Sequence, residues 1–275
     1  MSKSAQLRMR DIRQAYRLIG DCRDLGADPV LWQSHMLEGL SHLVGAAVAT
    51  GGEGRWRRPA ESPVPVSGFS VGLDARGIER LMAYTRQNGL AEDPVFQALR
   101  HIPGALVVRT RGQVLSDAEW QRSRTYNEYL RPIQLDSQLT SVCEVSGGAV
   151  SVVRLLRGCG EPDFSEREQR LLRFFHAELG RLIGNTLASV FDPDLRRLSR
   201  RQRETLACLL EGVSEKQVAA RLGISGFTTH QYVKSLYRRF SVSSRAELLA
   251  HFLRRRRSKP AGDVFSYPVV DIGDV

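Results

Sequence analysis

A serine begins each of four short amphipathic stretches in the C-terminal third of the chain, and three of these serines are followed three positions later by Gln or Glu. The pairs are Ser199–Gln202, Ser214–Gln217 and Ser244–Glu247. In this spacing the serine hydroxyl accepts a hydrogen bond from a first-turn amide, and the Gln or Glu side chain accepts one from the serine's own amide. Ser225 has Thr228 at the corresponding position and is expected to act as a plain N-cap. The pattern therefore predicts four helices with defined first residues.

Glycines indicate where two of these helices end. Gly212 follows the first apolar stretch and Gly223 follows the second, and glycine is common just after a helix. Only Gly223, Ile224 and Ser225 separate the second stretch from the third. Two helices joined by so short a glycine-containing turn form a helix-turn-helix. The sequence therefore predicts this motif, followed by one further helix.

The predicted third helix has two different faces. At about 100° per residue, four residues form one stripe that would face a core: Thr229, Val233, Leu236 and Phe240. The opposite face has long polar side chains: His230, Gln231, Lys234 and Arg238. A helix with these two faces can enter the major groove of DNA. The simpler alternative is an ordinary surface helix whose polar side contacts only water.

The distribution of charge favours nucleic-acid binding over a merely solvated surface. The chain of 275 residues has a net charge of +10. Residues 1–194 have a net charge of +1, residues 195–260 of +12, and residues 261–275 of −3. Positive charge is thus confined to the segment that contains the predicted helix-turn-helix. A local excess of this kind can be a solvated face, a patch for anionic membranes or a nucleic-acid site, and the helix pattern of the segment favours the nucleic-acid site.

Residues 198–252 resemble the DNA-binding domain of the LuxR (GerE) family. The resemblance depends on residue types that keep their spacing over more than fifty positions: Leu198-Ser199, Arg201, Glu204, Leu206, Gly212, Ala219, Leu222, Ile224-Ser225, Thr228, Val233, Val242, Arg245 and Leu248. Thr229, Tyr232 and the pair Arg239-Phe240 replace residues usual in the family but keep size or charge, so the fold that the resemblance implies is unchanged. The similar module of sigma factors shares the early part of the pattern but lacks its continuation after residue 242.

The resemblance implies a recognition helix at about 226–240 and a fourth helix at 244–254 that helps members to dimerise. It also implies that six residues approach DNA: Gly226, Phe227, His230, Gln231, Lys234 and Arg238. It also implies phosphate contacts by Lys216 and Thr228. A dimer would hold two recognition helices roughly 34 Å apart and would bind a palindromic site.

Residues 1–190 are predicted to form a separate α+β domain. Helices are predicted at 5–25, at 30–46, at 75–88 and after the capping pair Ser165–Glu168. Strands are predicted at 64–73, 105–110, 139–145 and 149–156, the last two joined by Ser146-Gly147-Gly148. A hairpin followed by a closing helix of this type resembles the GAF-like sensor domains found ahead of LuxR-type modules. The resemblance leaves a small-molecule ligand open, because many GAF-like domains bind none.

Several other classes of protein are disfavoured. No apolar run reaches the length of about 18 residues that a membrane span needs, and the charged N-terminus does not fit a signal peptide, so we expect a cytoplasmic protein without membrane contact. The four cysteines lack zinc-type spacing and are expected to be reduced: Cys22, Cys143, Cys159 and Cys208. Trp56 and Trp120 do not recur in the arrangement of the lactone receptors of the LuxR family, which disfavours lactone sensing.

Catalysis has no motif to support it. The histidines of the N-terminal part are scattered without metal-ligand spacing: His35, His42, His101 and His176. Neither a phosphate-binding loop nor a nucleophile elbow is present. We therefore expect no enzyme, no metal and no cofactor.

The predicted architecture is an α+β GAF-like domain at 1–190, an all-α four-helix LuxR-type domain at 195–255, and a basic, then irregular tail at 256–275. The predicted function is transcription regulation by a homodimer on double-stranded DNA, with RNA polymerase as a further candidate partner. The alternative is a protein–protein interaction module, such as an anti-activator whose helix-turn-helix pairs with other regulators.

Overall fold

The computed structural model describes residues 5–26, 28–87, 89–145, 148–184, 186–189, 198–240 and 242–255. Three features predicted from the sequence lie outside these ranges. They are most of the hairpin turn at 146–148, the domain boundary around Pro193 and the tail at 256–275.

The N-terminal part alternates helices and strands. Its helices are α1 (Met9–Asp24), α2 (Pro29–Val44), α3 (Ala75–Arg86), α4 (Gly89–Glu92), α5 (Pro94–Leu99), α6 (Asp117–Arg122) and α7 (Glu166–Gly180). Its strands are β1 (Val48–Arg55), β2 (Val64–Pro65), β3 (Phe69–Val71), β4 (Leu106–Thr110), β5 (Leu135–Glu144) and β6 (Ala149–Gly158). A π-helical turn at Thr125–Leu130 and short 3₁₀ turns at Arg111–Gln113 and Arg131–Ile133 complete it.

The strands form one antiparallel sheet in the order β2-β1-β6-β5-β4, and β3 also pairs with β1. Because side chains alternate along a strand, each row of paired residues faces one side of the sheet. One row joins Thr50, Arg154 and Thr140, and the neighbouring row joins Ala49, Leu155 and Leu139. The sheet therefore has two buried faces, as expected for a layer between helices.

Each face has its own apolar core. Leu139, Val153 and Leu155 belong to a cluster with residues of α1, α2 and α7, including the fully buried Trp32 and Leu172. On the other face a second cluster contains these residues: Trp56, Val95, Phe96, Leu99, Val107, Trp120, Val142 and Val150. The α+β architecture predicted for the N-terminal part of the chain is confirmed.

The main errors of the sequence prediction fall in the first half of the sheet. The predicted strand at 64–73 is interrupted between β2 and β3, because the amides of Val66 and Ser67 both donate to the carbonyl of Glu53 and the chain bulges there. A Cβ on Gly52 would lie 2.2 Å from the Ser67 carbonyl oxygen, so the bulge needs glycine opposite it. Strand β1 itself was not predicted.

The segment after α7 packs against the N-terminal helices and β1. The Trp32 indole donates to the Ala188 carbonyl at 2.9 Å. The Ser189 hydroxyl hydrogen-bonds to the carboxylate of Glu53, which also accepts from Gln33 Nε2 at 2.9 Å. Glu53 is almost fully buried. Its bond to Ser189 therefore fixes the segment after α7 on the α2 side of the sheet.

The C-terminal part is a small helical bundle of α8 (Arg200–Leu210), α9 (Glu215–Leu222), α10 (Gly226–Phe240) and α11 (Arg245–Arg255). Its core is formed by Leu198, Leu206, Leu209, Val233, Leu236, Phe240 and Leu248. The all-α four-helix prediction for this part is confirmed. Among all the described residues, no helix is both long and apolar enough to cross a membrane.

Candidate nucleic-acid interface and an apolar cavity

The turn between α9 and α10 holds the two helices at the geometry of a helix-turn-helix. Gly223 ends α9 with a φ of 62°, in the left-handed region that favours glycine. Ser225 then begins α10, since its hydroxyl accepts from the Thr228 amide at 3.0 Å. The predicted capping boxes of Ser199 and Ser214 are both present. At α11 the Ser244 hydroxyl accepts from Glu247 as predicted, but the Glu247 carboxylate accepts from Ser243.

The inner face of α10 is fixed to the rest of the bundle. Thr229, Val233, Leu236 and Phe240 are all buried, as the predicted stripe requires. Gln202 of α8 donates to the Ser235 hydroxyl at 2.8 Å. Arg245 of α11 donates to the Leu209 carbonyl at 2.9 Å, which joins α11 to α8. The helix is thus held on one side by apolar packing and polar bonds, and its other side is left to solvent.

The residues predicted to approach DNA lie on the outer face. The exposed ones are Lys216 on α9 and Gly226, Phe227, His230, Gln231, Lys234 and Arg238 on α10. Thr228 is only partly exposed, and its hydroxyl lies 2.8 Å from the Ser225 hydroxyl. His230 Nδ1 lies 3.2 Å from a Glu215 carboxylate oxygen, so one acidic side chain of α9 touches this face.

Phe227, Gln231, Lys234 and Arg238 form a single row along α10. They follow one another at intervals of four, three and four residues, which keeps them within roughly 60° of one another on a helix. Thr229 lies roughly 200° from Phe227, on the buried side. The face can offer one aromatic ring, one amide and two cations to a groove, and its charge suits phosphate and base edges.

A cavity of about 320 Å³ lies in the N-terminal domain, between the sheet and α3, α4 and α5. Apolar side chains form much of its wall: Phe69, Leu81, Met82, Leu90, Phe96 and Val152. Gly52 and Gly54 of β1 also line it, which leaves room where other residues would place a side chain. The volume and apolar lining are typical of small-molecule sites.

Two polar residues that line the cavity, Tyr84 and Arg154, belong to a buried cluster with Asp93. Asp93 is fully buried, and its two carboxylate oxygens accept from the Val95 and Phe96 amides, from the Tyr84 hydroxyl at 2.8 Å and from Arg154 at 3.2 Å. Burial alone would lower the pKa of Arg154, but its interactions with the Asp93 carboxylate and with Tyr84 outweigh burial, and the pKa is raised. Burial and the neighbouring carboxylate raise the pKa of Tyr84. Both carboxylate oxygens of Asp93 are therefore fully engaged by neighbouring groups.

Unsatisfied polar atoms lie beside this cluster. Arg154 Nε, Gln138 Nε2 and Thr140 Oγ1 are buried without a hydrogen-bond partner in the described part of the chain. Gln138 also accepts from Arg154, and Thr140 is the direct strand partner of Arg154, so the three groups share one face of the sheet. Sequence reasoning missed this cluster. Asp93 followed by Pro94, a typical helix start, was the local signal present.

The two tryptophans considered for lactone binding, and His176 among the histidines considered for metal binding, make hydrogen bonds within the fold. The indole nitrogen of Trp56 donates to the Glu61 carbonyl at 2.8 Å, and that of Trp120 donates to Asp136 at 2.7 Å. His176 is buried and lies within hydrogen-bond distance of two serine hydroxyls. No group of three or more metal-ligating side chains is found among the residues that the structure describes. Cys22, Cys143 and Cys208 are buried, whereas Cys159 is exposed.

Comparison with known proteins supports the assignment of the C-terminal helices. A putative HTH-type transcriptional regulator from Aeromonas salmonicida is 40% identical over 68 residues, which is 25% of this chain and 35% of that protein. The probable transcriptional regulatory protein SgaR of Hyphomicrobium methylovorum is 46% identical over 59 residues, covering 22% and 28%. The match thus spans only about a third of these relatives' length.

Among solved structures, SdiA in complex with octanoyl-rac-glycerol aligns over 90% of this chain and 95% of its own, with 16% identity and a TM-score of 0.46. The profile of the bacterial regulatory proteins of the luxR family matches residues 196–252, which include α8, α9, α10 and most of α11. That segment of the chain is therefore a helix-turn-helix domain of the luxR family of bacterial regulatory proteins.

Proposed function

We propose that this chain is a transcription regulator that binds double-stranded DNA by placing α10 in the major groove. The observation that carries the proposal is the outer face of α10, where Gln231, Lys234 and Arg238 are exposed on a helix whose other side is held in a core. Second helices of helix-turn-helix motifs bind in this way. A regulator of this kind works in the cytoplasm with the chromosome, and RNA polymerase is a further candidate partner.

The mode of binding that we propose is a homodimer on a palindromic site. Two-fold related helix-turn-helix domains place their recognition helices about one DNA turn, roughly 34 Å, apart. The fourth helix, α11, is the element that the family resemblance assigns to pairing. Lys216 and Thr228 are proposed to contact phosphates, which fix orientation but carry no sequence information.

The experiment that tests the proposal is selection from a random duplex library with the purified full-length protein, at low and at physiological salt. We expect an enriched palindromic motif that persists at the higher salt. The variant with Lys234→Ala and Arg238→Ala should lose most of its affinity, whereas Met9→Ala, an exposed change on α1, should not. Binding that is blind to sequence and lost with salt would favour the alternative, a protein–protein interaction module.

We also propose that the N-terminal domain binds a small molecule in the apolar cavity. The carboxylate of Asp93 already accepts four hydrogen bonds, while Arg154, which lines the cavity, retains a buried Nε–H group without a partner among the described residues. The cavity therefore suits a molecule with an apolar chain and a hydrogen-bond acceptor at its polar end. The ion pair is already neutral, so an additional charge would be costly to bury.

Thermal unfolding with and without octanoyl glycerol, a neutral amphiphile, tests this second proposal. We expect the ligand to raise the melting temperature of the wild-type protein, because a molecule that binds only the folded state stabilises it. Leu81→Trp, which fills part of the cavity, should abolish that rise. An equal rise in both proteins would place the amphiphile elsewhere, and no rise in either would count against this ligand class.

A further inference from the structure

Phe227 is the most exposed large apolar side chain in the described part of the chain, with 75% of its surface accessible. The other such side chains range from 36% to 65% and are scattered over the N-terminal domain. An exposed phenylalanine ring does not contribute the free energy that burial of its apolar surface would give. A single exposed ring on a candidate binding surface therefore indicates a contact with a partner. Phe227 contributes nothing to the core of the bundle, which is complete without it.

The position of Phe227 is set by the start of α10. Gly226 and Phe227 are its first two residues, and the bonds from Ser225 to the amide and hydroxyl of Thr228 fix that first turn. The ring of Phe227 extends from that turn into solvent. In helix-turn-helix proteins the first turns of the recognition helix are the part that reaches the base edges. The ring is thus presented where base edges would lie.

The chemistry of the ring limits what it can recognise there. A phenylalanine side chain can neither donate nor accept a conventional hydrogen bond, so the donors and acceptors of guanine, adenine and cytosine offer it nothing. The C5-methyl group of thymine is the apolar feature that standard bases present in the major groove, and phenylalanine is among the residues that contact it. Gln231, Lys234 and Arg238, along the same row, would meet polar edges and phosphates further along the groove.

We propose that Phe227 determines part of the DNA specificity by packing against a thymine methyl group in each half of the palindromic site. The proposal rests on the proposed function, because it requires α10 to lie in the major groove. It goes beyond that function in naming one base and one atom that the protein reads.

The test uses the full-length protein and the duplex enriched by selection. Each thymine of that duplex is replaced singly by uracil, which removes only the methyl group, and dissociation constants are measured by fluorescence anisotropy at physiological salt. We expect uracil at one position in each half of the palindromic site to weaken binding about fourfold, the equivalent of one buried methyl-sized group. Phe227→Ala changes both subunits of the dimer, so it should lose about 16-fold in affinity, the square of that factor. It should no longer distinguish thymine from uracil at that position.

Two controls keep the outcomes separate. Phe227→Leu retains an apolar side chain and should keep part of the preference for thymine, and Tyr16→Ala, far from α10 in the sequence and also exposed, should leave every uracil effect as in the wild type. If the duplex is enriched but no uracil weakens binding, or if Phe227→Ala keeps the full methyl effect, the inference is wrong and the proposed function stands. If no duplex is enriched, the proposed function itself fails.

Discussion

His176 of α7 is fully buried between two neighbouring strands of the sheet. Its Nδ1 lies 2.6 Å from the hydroxyl of Ser141 on β5, and its Nε2 lies 3.0 Å from the hydroxyl of Ser151 on β6. A neutral imidazole has one donor and one acceptor nitrogen, and two hydroxyl groups can satisfy both. Burial disfavours the charged form and lowers the pKa of His176 from 6.5 to about 4.

This pKa makes the stability of the domain depend on pH between about 4 and 6.5. The unfolded chain takes up a proton on His176 as the pH falls below 6.5, whereas the folded protein resists protonation until about 4. The stabilisation is therefore complete above pH 6.5 and is lost as the pH falls. At about 1.4 kcal/mol for each pH unit, the loss is about 2 kcal/mol at pH 5 and approaches about 3 kcal/mol below pH 4.

Urea unfolding of the wild type and of His176→Gln, each at pH 7.5 and at pH 5, measures the effect. Glutamine keeps a donor and an acceptor but does not titrate in this range. The difference in unfolding free energy between the two proteins cancels the titration of all other groups. We expect that difference to move by about 2 kcal/mol against the wild type at pH 5. A difference that stays constant within about 0.5 kcal/mol would refute the reasoning.

Three further predictions concern other parts of the molecule. If Lys234 and Arg238 each contact a phosphate, replacing both with Ala should make the slope of log affinity against log salt concentration shallower by about 1.8. An unchanged slope in a salt titration would show that neither residue contacts a phosphate. Leu236→Ala should lower the unfolding free energy of the C-terminal bundle by about 2–5 kcal/mol in urea, because its side chain is fully buried. Asp93→Ala should cost about 3–5 kcal/mol, since it leaves Arg154 charged and buried without its partner, and a loss below about 1 kcal/mol in the same assay would contradict the buried ion pair.

The C-terminal helices could be predicted well because their signals are local. The serine three residues before Gln217 determines a helix cap, and the glycine at 223 determines where that helix ends. The stripe from Thr229 to Phe240 determines a buried face. None of these signals depends on the rest of the chain. The structure has all three. The eight residues predicted to contact DNA are placed by the same local rules, but their roles toward DNA stay predictions.

Strand β1 could not be predicted, because its stability comes from its partners. Its sequence contains Gly51, Gly52 and Gly54, which are unfavourable in an isolated strand. All eight of its residues pair with β6, which lies about a hundred positions later in the sequence. Only that pairing, together with the close approach of Ser67 over Gly52, makes glycine suitable there.

The buried polar cluster beside the cavity was missed for a related reason. Tyr84, Asp93, Gln138 and Arg154 come from two helical segments and two strands, and no spacing in the sequence connects them. The β5–β6 register brings Arg154 beside Gln138, and the packing of α5 on the sheet brings Asp93 to Arg154. Such a cluster becomes visible only once the strands are paired.

One consequence of the β1 strand concerns allosteric coupling between a signal and DNA. Thr50 and Gly52 of β1 line the cavity, and the next residue, Glu53, holds Ser189 on the opposite side of the sheet. A molecule in the cavity that displaced β1 would therefore also displace Ser189, at the start of the segment that leads to the helix-turn-helix, because the two lie on opposite faces of the same strand. Transmission from the cavity to that segment would then need no long chain of intermediates, because one short strand lines the cavity and also holds Ser189.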